Sequence, residues 1–463
     1  MRLRWGIVLC CVLVAACDGG SSPGDDDDDD VREIVVDVPV TPNLDVDILF
    51  MIDDSPSMAD KQANLAANFP NFINKLASNP GGLPNLHLGV ISSDMGTSGS
   101  GSATPAPGIG QIGQGGCAAR GKAGALTVNG APLDAGSKFA IDVATPGGGR
   151  QTNFTGNLAE VFGQMARLGA GGCGFEQPLA AIKAALDNNP SNAGFLRPDA
   201  LLAIVLLTDE DDCSAKDAGL FASDEITLGP LQSFRCTRFG VTCGGGGGSP
   251  DAMNQVGVKT DCEASTSSDL LDGVEGFHDF LVSLKADPKK VVATAITGTV
   301  DPFQVELRPA PGGGTAQTAL AHSCTFQGAN GTEVADPPVR IQSFLDLFPS
   351  RSATSSICQS DLSGGLGLIG DLITESIGSP CLSRDVTDID DDAPGLQVDC
   401  LVEDVVGVNS TQIAPCDSSE TPTCWKLDED PEACPSRQNL KLTVVRSEAP
   451  DPATVTRMSC VVR

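Results

Sequence analysis

The sequence predicts an α/β fold built on an open sheet, followed by a small disulfide-rich β module. Three observations carry this reading. The run Asp45–Ile52 is apolar after its first residues and ends in Asp53-Asp54-Ser55-Pro56-Ser57, as a buried strand does when it delivers polar groups to the carboxyl end of a sheet. The run Leu201–Leu207 is seven consecutive apolar residues and breaks at once into Thr208-Asp209-Glu210-Asp211-Asp212. From Cys381 onward helix signals thin out, six cysteines appear, and alternation such as Leu440-Leu442-Val444 takes over.

The N-terminus reads as a targeting signal. Arg2 and Arg4 precede an apolar run, 6–16, that is too short to span a bilayer, and it ends in Val14-Ala15-Ala16-Cys17. This resembles the lipobox of bacterial lipoproteins and implies a signal segment, 1–17 with its lipobox, that is cut off before Cys17, which becomes the lipidated first residue. Residues 18–44, with six aspartates at 25–30, read as a flexible acidic tether whose like charges repel.

Beyond the first strand, Leu65, Phe69, Phe72, Ile73 and Leu76 share a helical face, with Pro70 as an expected kink or restart. A strand at 86–91 and a Gly/Ser/Pro loop at 97–116 follow. The loop holds a formal GxGxxG at 108–113, which is rejected as a dinucleotide site because Pro107, and not a strand, precedes it. Residues 128–144 are expected to form short edge strands, 158–168 and 179–186 helices, and 213–262 a cysteine-rich insertion. The helix at 270–284 and the strand Val291–Thr297 resume the alternation. Residues 299–357 read as irregular, and 366–377 as a last helix. The expected units are therefore 1–17, 18–44, 45–380 and 381–463.

The chain has 60 acidic and 29 basic residues, a net charge of −31. That sign argues against nucleic acid as a partner and against direct attraction to anionic lipid. Aromatics make up 4% with no tyrosine, so aliphatic side chains must fill the core. Of 17 cysteines, Cys10, Cys11 and Cys17 belong to the leader; the even remainder in an exported chain favours disulfides, whose pairing sequence does not reveal.

Asp53-x-Ser55-x-Ser57 places one carboxylate and two hydroxyls together, a hard-oxygen set suited to Mg²⁺. The pattern is similar to the metal-ion-dependent adhesion site of von Willebrand factor type A domains. The resemblance implies a doubly wound, mostly parallel α/β sheet, with Asp209 completing the site from a second strand end. It also implies binding of an acidic group on a protein or extracellular matrix ligand through the ion's open position. The family's threonine after a Gly-Gly pair is missing, because Gly171-Gly172 is followed by Cys173. Glu176 is the nearby oxygen donor that could replace it and would favour Ca²⁺ or Mn²⁺; an ordinary acid in a helix first turn is the equal alternative. Cys173 and Cys213 flank the two loops and are expected to pair across the site.

The resulting expectation is a non-enzymatic, lipid-anchored protein of the bacterial cell envelope, at the outer membrane or cell surface or facing the periplasm, that binds a ligand through a divalent cation. A metal-dependent hydrolase with Glu176 or Glu210 as base, and a structural envelope scaffold, are the alternatives. No Walker or HExxH motif is present, and His87, His278 and His322 are scattered. The acids at 385–392 break EF-hand register at Ala393-Pro394-Gly395.

Overall fold

The computed structural model describes residues 32–39, 44–78, 82–145, 149–244, 248–309, 314–328, 331–377, 381–382, 385–390, 395–406, 409–417, 419–431, 434, 438–447, 450 and 454–462. Cys17, the leader, the aspartates at 25–30 and the break at 393–394 lie outside these residues.

A seven-stranded sheet holds the centre. Its order is Ser352–Ser356, Val291–Thr297, β6 (Leu201–Leu207), β2 (Asp45–Ile52), β3 (Asn85–Ser92), β4 (Ala140–Ala144) and β5 (Arg150–Thr152). Neighbours from Ser352–Ser356 through β3 run parallel, whereas β4 and β5 pair antiparallel. Side chains of β2 alternate between two apolar clusters: Ile48, Phe50 and Ile52 join one, Leu49 and Met51 the other. On the first side, helix α1 (Ala59–Ala77) places Phe69 and Phe72 against Phe50, and Phe162 of α2 (Leu158–Met165) stacks on Phe69 with ring centroids 3.7 Å apart. That aromatic contact seats the start of α1 just beyond the end of β2. Helix α1 continues through Pro70, which faces solvent, so no restart occurs there.

The second large sheet has six strands: β1 (Arg32–Pro39), then Val455–Val462, Cys400–Val406, Asn409–Pro415, Cys424–Glu429 and Leu440–Val445. Its pairs are antiparallel except Asn409–Pro415 with Cys424–Glu429. Three smaller sheets complete the described strands.

Three expectations are corrected by this architecture. The fold class is not a doubly wound, mostly parallel α/β sheet: the described strands divide among five sheets, most of their pairings are antiparallel, and even the central sheet is mixed. The insertion after β3 supplies β4 and β5, and an inserted segment that returns on itself pairs antiparallel. The tether ends earlier than expected, because residues 32–39 pair along their whole length with Val455–Val462. The described residues within 299–357 form strands Phe303–Arg308, Gln317–Leu320, Cys324–Gln327, Thr332–Ala335 and Ser352–Ser356 and helix Val339–Leu345. Ser352–Ser356, all hydroxyl residues and alanine, carries no apolar signal and is a strand only because it completes a sheet edge.

Seven disulfides join all fourteen cysteines from Cys117 to Cys460. Bridges 117–173, 213–236, 243–262 and 324–358 stay N-terminal of Cys381, and 381–434, 400–460 and 416–424 stay within the last segment. Among the described residues, no helix is long and apolar enough to cross a membrane.

Candidate functional site

Strands β2 and β6 are parallel neighbours with Ile52 opposite Leu207, so the residues that follow each come out side by side. The Asp53 amide donates to the Leu207 carbonyl at 2.9 Å and closes the last rung. Asp53 is fully buried. Its Oδ2 accepts from the Thr208 hydroxyl at 3.0 Å, and its Oδ1 accepts from the Ser55 amide at 2.7 Å and the Ser93 hydroxyl at 3.3 Å. Ser55 Oγ and Ser57 Oγ stand 3.2 Å apart; Ser55 is buried and Ser57 exposed.

Asp209 lies 3% exposed beside them. Its Oδ2 accepts from the ammonium of Lys61 at 2.8 Å, and its Oδ1 is buried without a hydrogen-bond partner. Lys61, on the first turn of α1, also donates to the Ser57 carbonyl at 3.2 Å. Gln62 ties the loops together: its side-chain amide donates to the carbonyls of Asp53 and Gly169 and accepts from the Gly169 amide. The Gly172 amide donates to the Asp54 carbonyl at 2.7 Å, and the Ser92 hydroxyl donates to Asp54 Oδ1, while Lys122 pairs with Asp54 Oδ2.

The acidic run after β6 divides its tasks. Asp209 faces the first loop. Asp211 accepts from the amides of Arg340 and Ile341 and thereby caps the helix Val339–Leu345. Asp212 pairs with the buried Arg340 guanidinium at 2.9 Å. Glu176, just ahead of α3 (Pro178–Leu186), is 1% exposed with Oε1 unpartnered.

Crowding of carboxylates in a buried place shows in their titration. Burial first, and Asp209 second, push Asp53 up to about 7. Burial, then Asp336, Asp209 and Asp53, push Glu210 up to about 8. Glu176 is held well above the carboxylate range by burial, with Glu210 and Asp53 adding to it. Asp211 rises to about 7 by burial despite its bonds to Arg340.

Two carboxylates and several hydroxyls at adjoining strand ends form a donor set that fits a small hard cation, which fills its remaining positions with water. The unpartnered Asp209 Oδ1 is the observation that makes the fit. Among the described residues, no three acidic, histidine or cysteine side chains stand together in metal-holding geometry. Asp53, Ser55, Ser57 and Asp209 are thus brought into one neighbourhood, whereas Glu176 does not close with Asp53 and Asp209 on a common point. Ser93, Thr208 and Lys61 escaped the sequence reading. Thr208 directly precedes Asp209, and that position was its signal.

The expected Cys173–Cys213 bridge is corrected: Cys173 bonds Cys117, and Cys213 bonds Cys236. The two loops do touch, through the Cys213 amide and the Glu176 carbonyl at 2.7 Å. Residues 115–117 of the insertion lie along Cys173–Gly174, with the Gly174 amide donating to the Gly115 carbonyl at 3.0 Å, and take up its sulfur instead.

A strand-end cluster of oxygens is the class of site the chain carries. No family model matches the chain, and no curated protein matches it in sequence. Its structural neighbours include three bacterial pilus proteins. The pilus adhesin SpaC from Lactobacillus rhamnosus GG is 12% identical, with 94% of this chain and 41% of SpaC covered and a TM-score of 0.29. The adhesive tip pilin GBS104 from Group B Streptococcus agalactiae is 11% identical, covering 93% and 81%, at 0.26. The pilus adhesin RrgA from Streptococcus pneumoniae is 10% identical, covering 93% and 58%, at 0.22. The chain thus spans less than half of SpaC, and likeness at these scores carries no argument about this chain.

Proposed function

We propose that this protein binds a protein or matrix ligand through a divalent cation, Mg²⁺ first, held by Asp53, Ser55, Ser57 and Asp209. Asp209 Oδ1 carries the reading: a buried carboxylate oxygen with no partner, next to a second buried carboxylate, is costly unless a cation joins them. When bound, the cation supplies an open coordination position for an acidic group of the ligand. The chain's own residues set the rest. Thr208, Ser93 and the Ser55 amide orient Asp53, Gln62 locks the first loop to Gly169, and Lys61 leaves one Asp209 oxygen free. Lipid anchoring at Cys17, and with it a place on the bacterial envelope, belongs to the same reading through the lipobox resemblance.

Thermal melting of the full chain with Mg²⁺, Mn²⁺, Ca²⁺ or chelator tests it, since an ion that binds only the native state must raise stability. A rise in Tm that chelator reverses and Asp53→Ala abolishes is expected. No rise with any of the three ions overturns the reading.

A further inference from the structure

Beside the strand-end oxygens lies a cavity of about 150 Å³. Glu176, Glu210, Asp211 and Asp336 line it, together with apolar surface from Phe234 and Leu320, and the exposed Pro309 stands on its rim. We propose that this cavity binds an aliphatic ammonium group, with the carbon chain against Phe234 and Leu320 and the nitrogen between Glu176 and Glu210.

Two of the four carboxylates are already committed. Asp211 accepts from backbone amides of Arg340 and Ile341, and Asp336 pairs with His322 at 2.6 Å. Glu176 and Glu210 remain, both on the cavity lining. Glu176 is 1% exposed, and its Oε1 has no hydrogen-bond partner, so the protein holds there a buried acceptor that it does not itself satisfy. The cation among the described lining residues, Arg308, is turned to Glu306 and to the Leu320 carbonyl at 2.8 Å. The cavity therefore offers, at Glu176, a buried carboxyl oxygen with no partner inside the protein, and an ammonium placed there would favour the ionised form of that acid.

An organic cation fits better than a metal. No three acidic side chains among the described residues converge in metal-holding geometry, and apolar walls give nothing to the water shell of a hard ion. An ammonium on a carbon chain uses both parts of the lining: three N–H donors for the carboxylate oxygens and methylenes for the apolar wall. The same chemistry comes from a free alkylamine or from a lysine side chain on a partner protein. The inference does not depend on an ion at Asp53.

Calorimetric titration of the full chain in chelator, with n-butylammonium and with Nα-acetyl-lysine amide, tests it separately from the cation reading. Saturable binding of n-butylammonium, at least about tenfold tighter than the neutral match n-butanol, is expected, as is about a tenfold or greater loss in Glu176→Gln. Binding of the lysine amide as well points to a partner's lysine, and binding of n-butylammonium alone to a free amine. Ala319→Leu fills the cavity from its strand wall without touching a carboxylate; it should also abolish binding and serves if Glu176→Gln does not fold. The inference is overturned if n-butylammonium does not bind, if n-butanol binds equally well, or if the cavity-filling variant binds as the wild type does. The first of these is the result expected if Glu176 and Glu210 simply share a proton.

Discussion

The ammonium of Lys61 lies 2.8 Å from Asp209 Oδ2, with side chains 2% and 3% exposed, although the two residues are 148 positions apart. This ion pair balances one of the two strand-end charges internally. Asp209 Oδ1 is left without a hydrogen-bond partner.

Replacing that ammonium should expose the cost. Lys61→Met is expected to lose roughly 3–5 kcal/mol of stability in chelator, since breaking a buried pair leaves a buried charge behind. Added Mg²⁺ should then raise Tm by more than it does in the wild type. An equal or smaller shift in the variant would mean that Asp209 does not meet the ion.

The acidity of Asp53 sets a pH window. Its folded value of about 7 lies above the ordinary 3.8, chiefly through burial and then through Asp209. Between about pH 4 and about pH 7 the folded chain therefore holds a proton that the unfolded chain has released. Stability from this group is highest at low pH and falls as pH rises through the window. A cation favours the ionised form and so opposes that fall. The Mg²⁺-dependent rise in Tm is expected to be large at about pH 8 and nearly absent at about pH 5; an equal rise at both would show that Asp53 is not a ligand.

Gly172 guards the approach of the second loop. A Cβ there would stand 2.3 Å from Asp54 Oδ1 and 2.8 Å from the Asp54 carbonyl oxygen that Gly172 already bonds. Gly172→Ala should push the loop away from Asp54, lower Tm by several degrees, and weaken the Mg²⁺ response. Unaltered melting with and without Mg²⁺ would show that the loop yields without consequence for the site.

Much of the site could be read before folding. The apolar runs at 45–52 and 201–207 are long, uninterrupted and closed by polar residues, and both are strands whose ends meet. Lys61 was hidden because a lysine on the first turn of an exposed-looking helix has no local mark of burial. Ser352–Ser356 was hidden because hydroxyl residues without periodicity form a strand only when a neighbour offers its edge. The cysteine partners were equally out of reach: nearness of Cys173 and Cys213 in the loops did not decide which sulfurs meet, because the insertion at 115–117 lies closer.

Local pattern was enough to establish the two buried strands, the acid and hydroxyl groups at their ends, and an even set of cysteines to be joined. Packing alone decided that residues 32–39 close a sheet begun more than 360 residues later, that Lys61 balances Asp209, and that the insertions make the sheets mixed. Apolar periodicity reports which side of an element is buried, a property of neighbouring residues. Which element covers that side depends on competition among distant surfaces, and no short stretch of chain encodes its outcome.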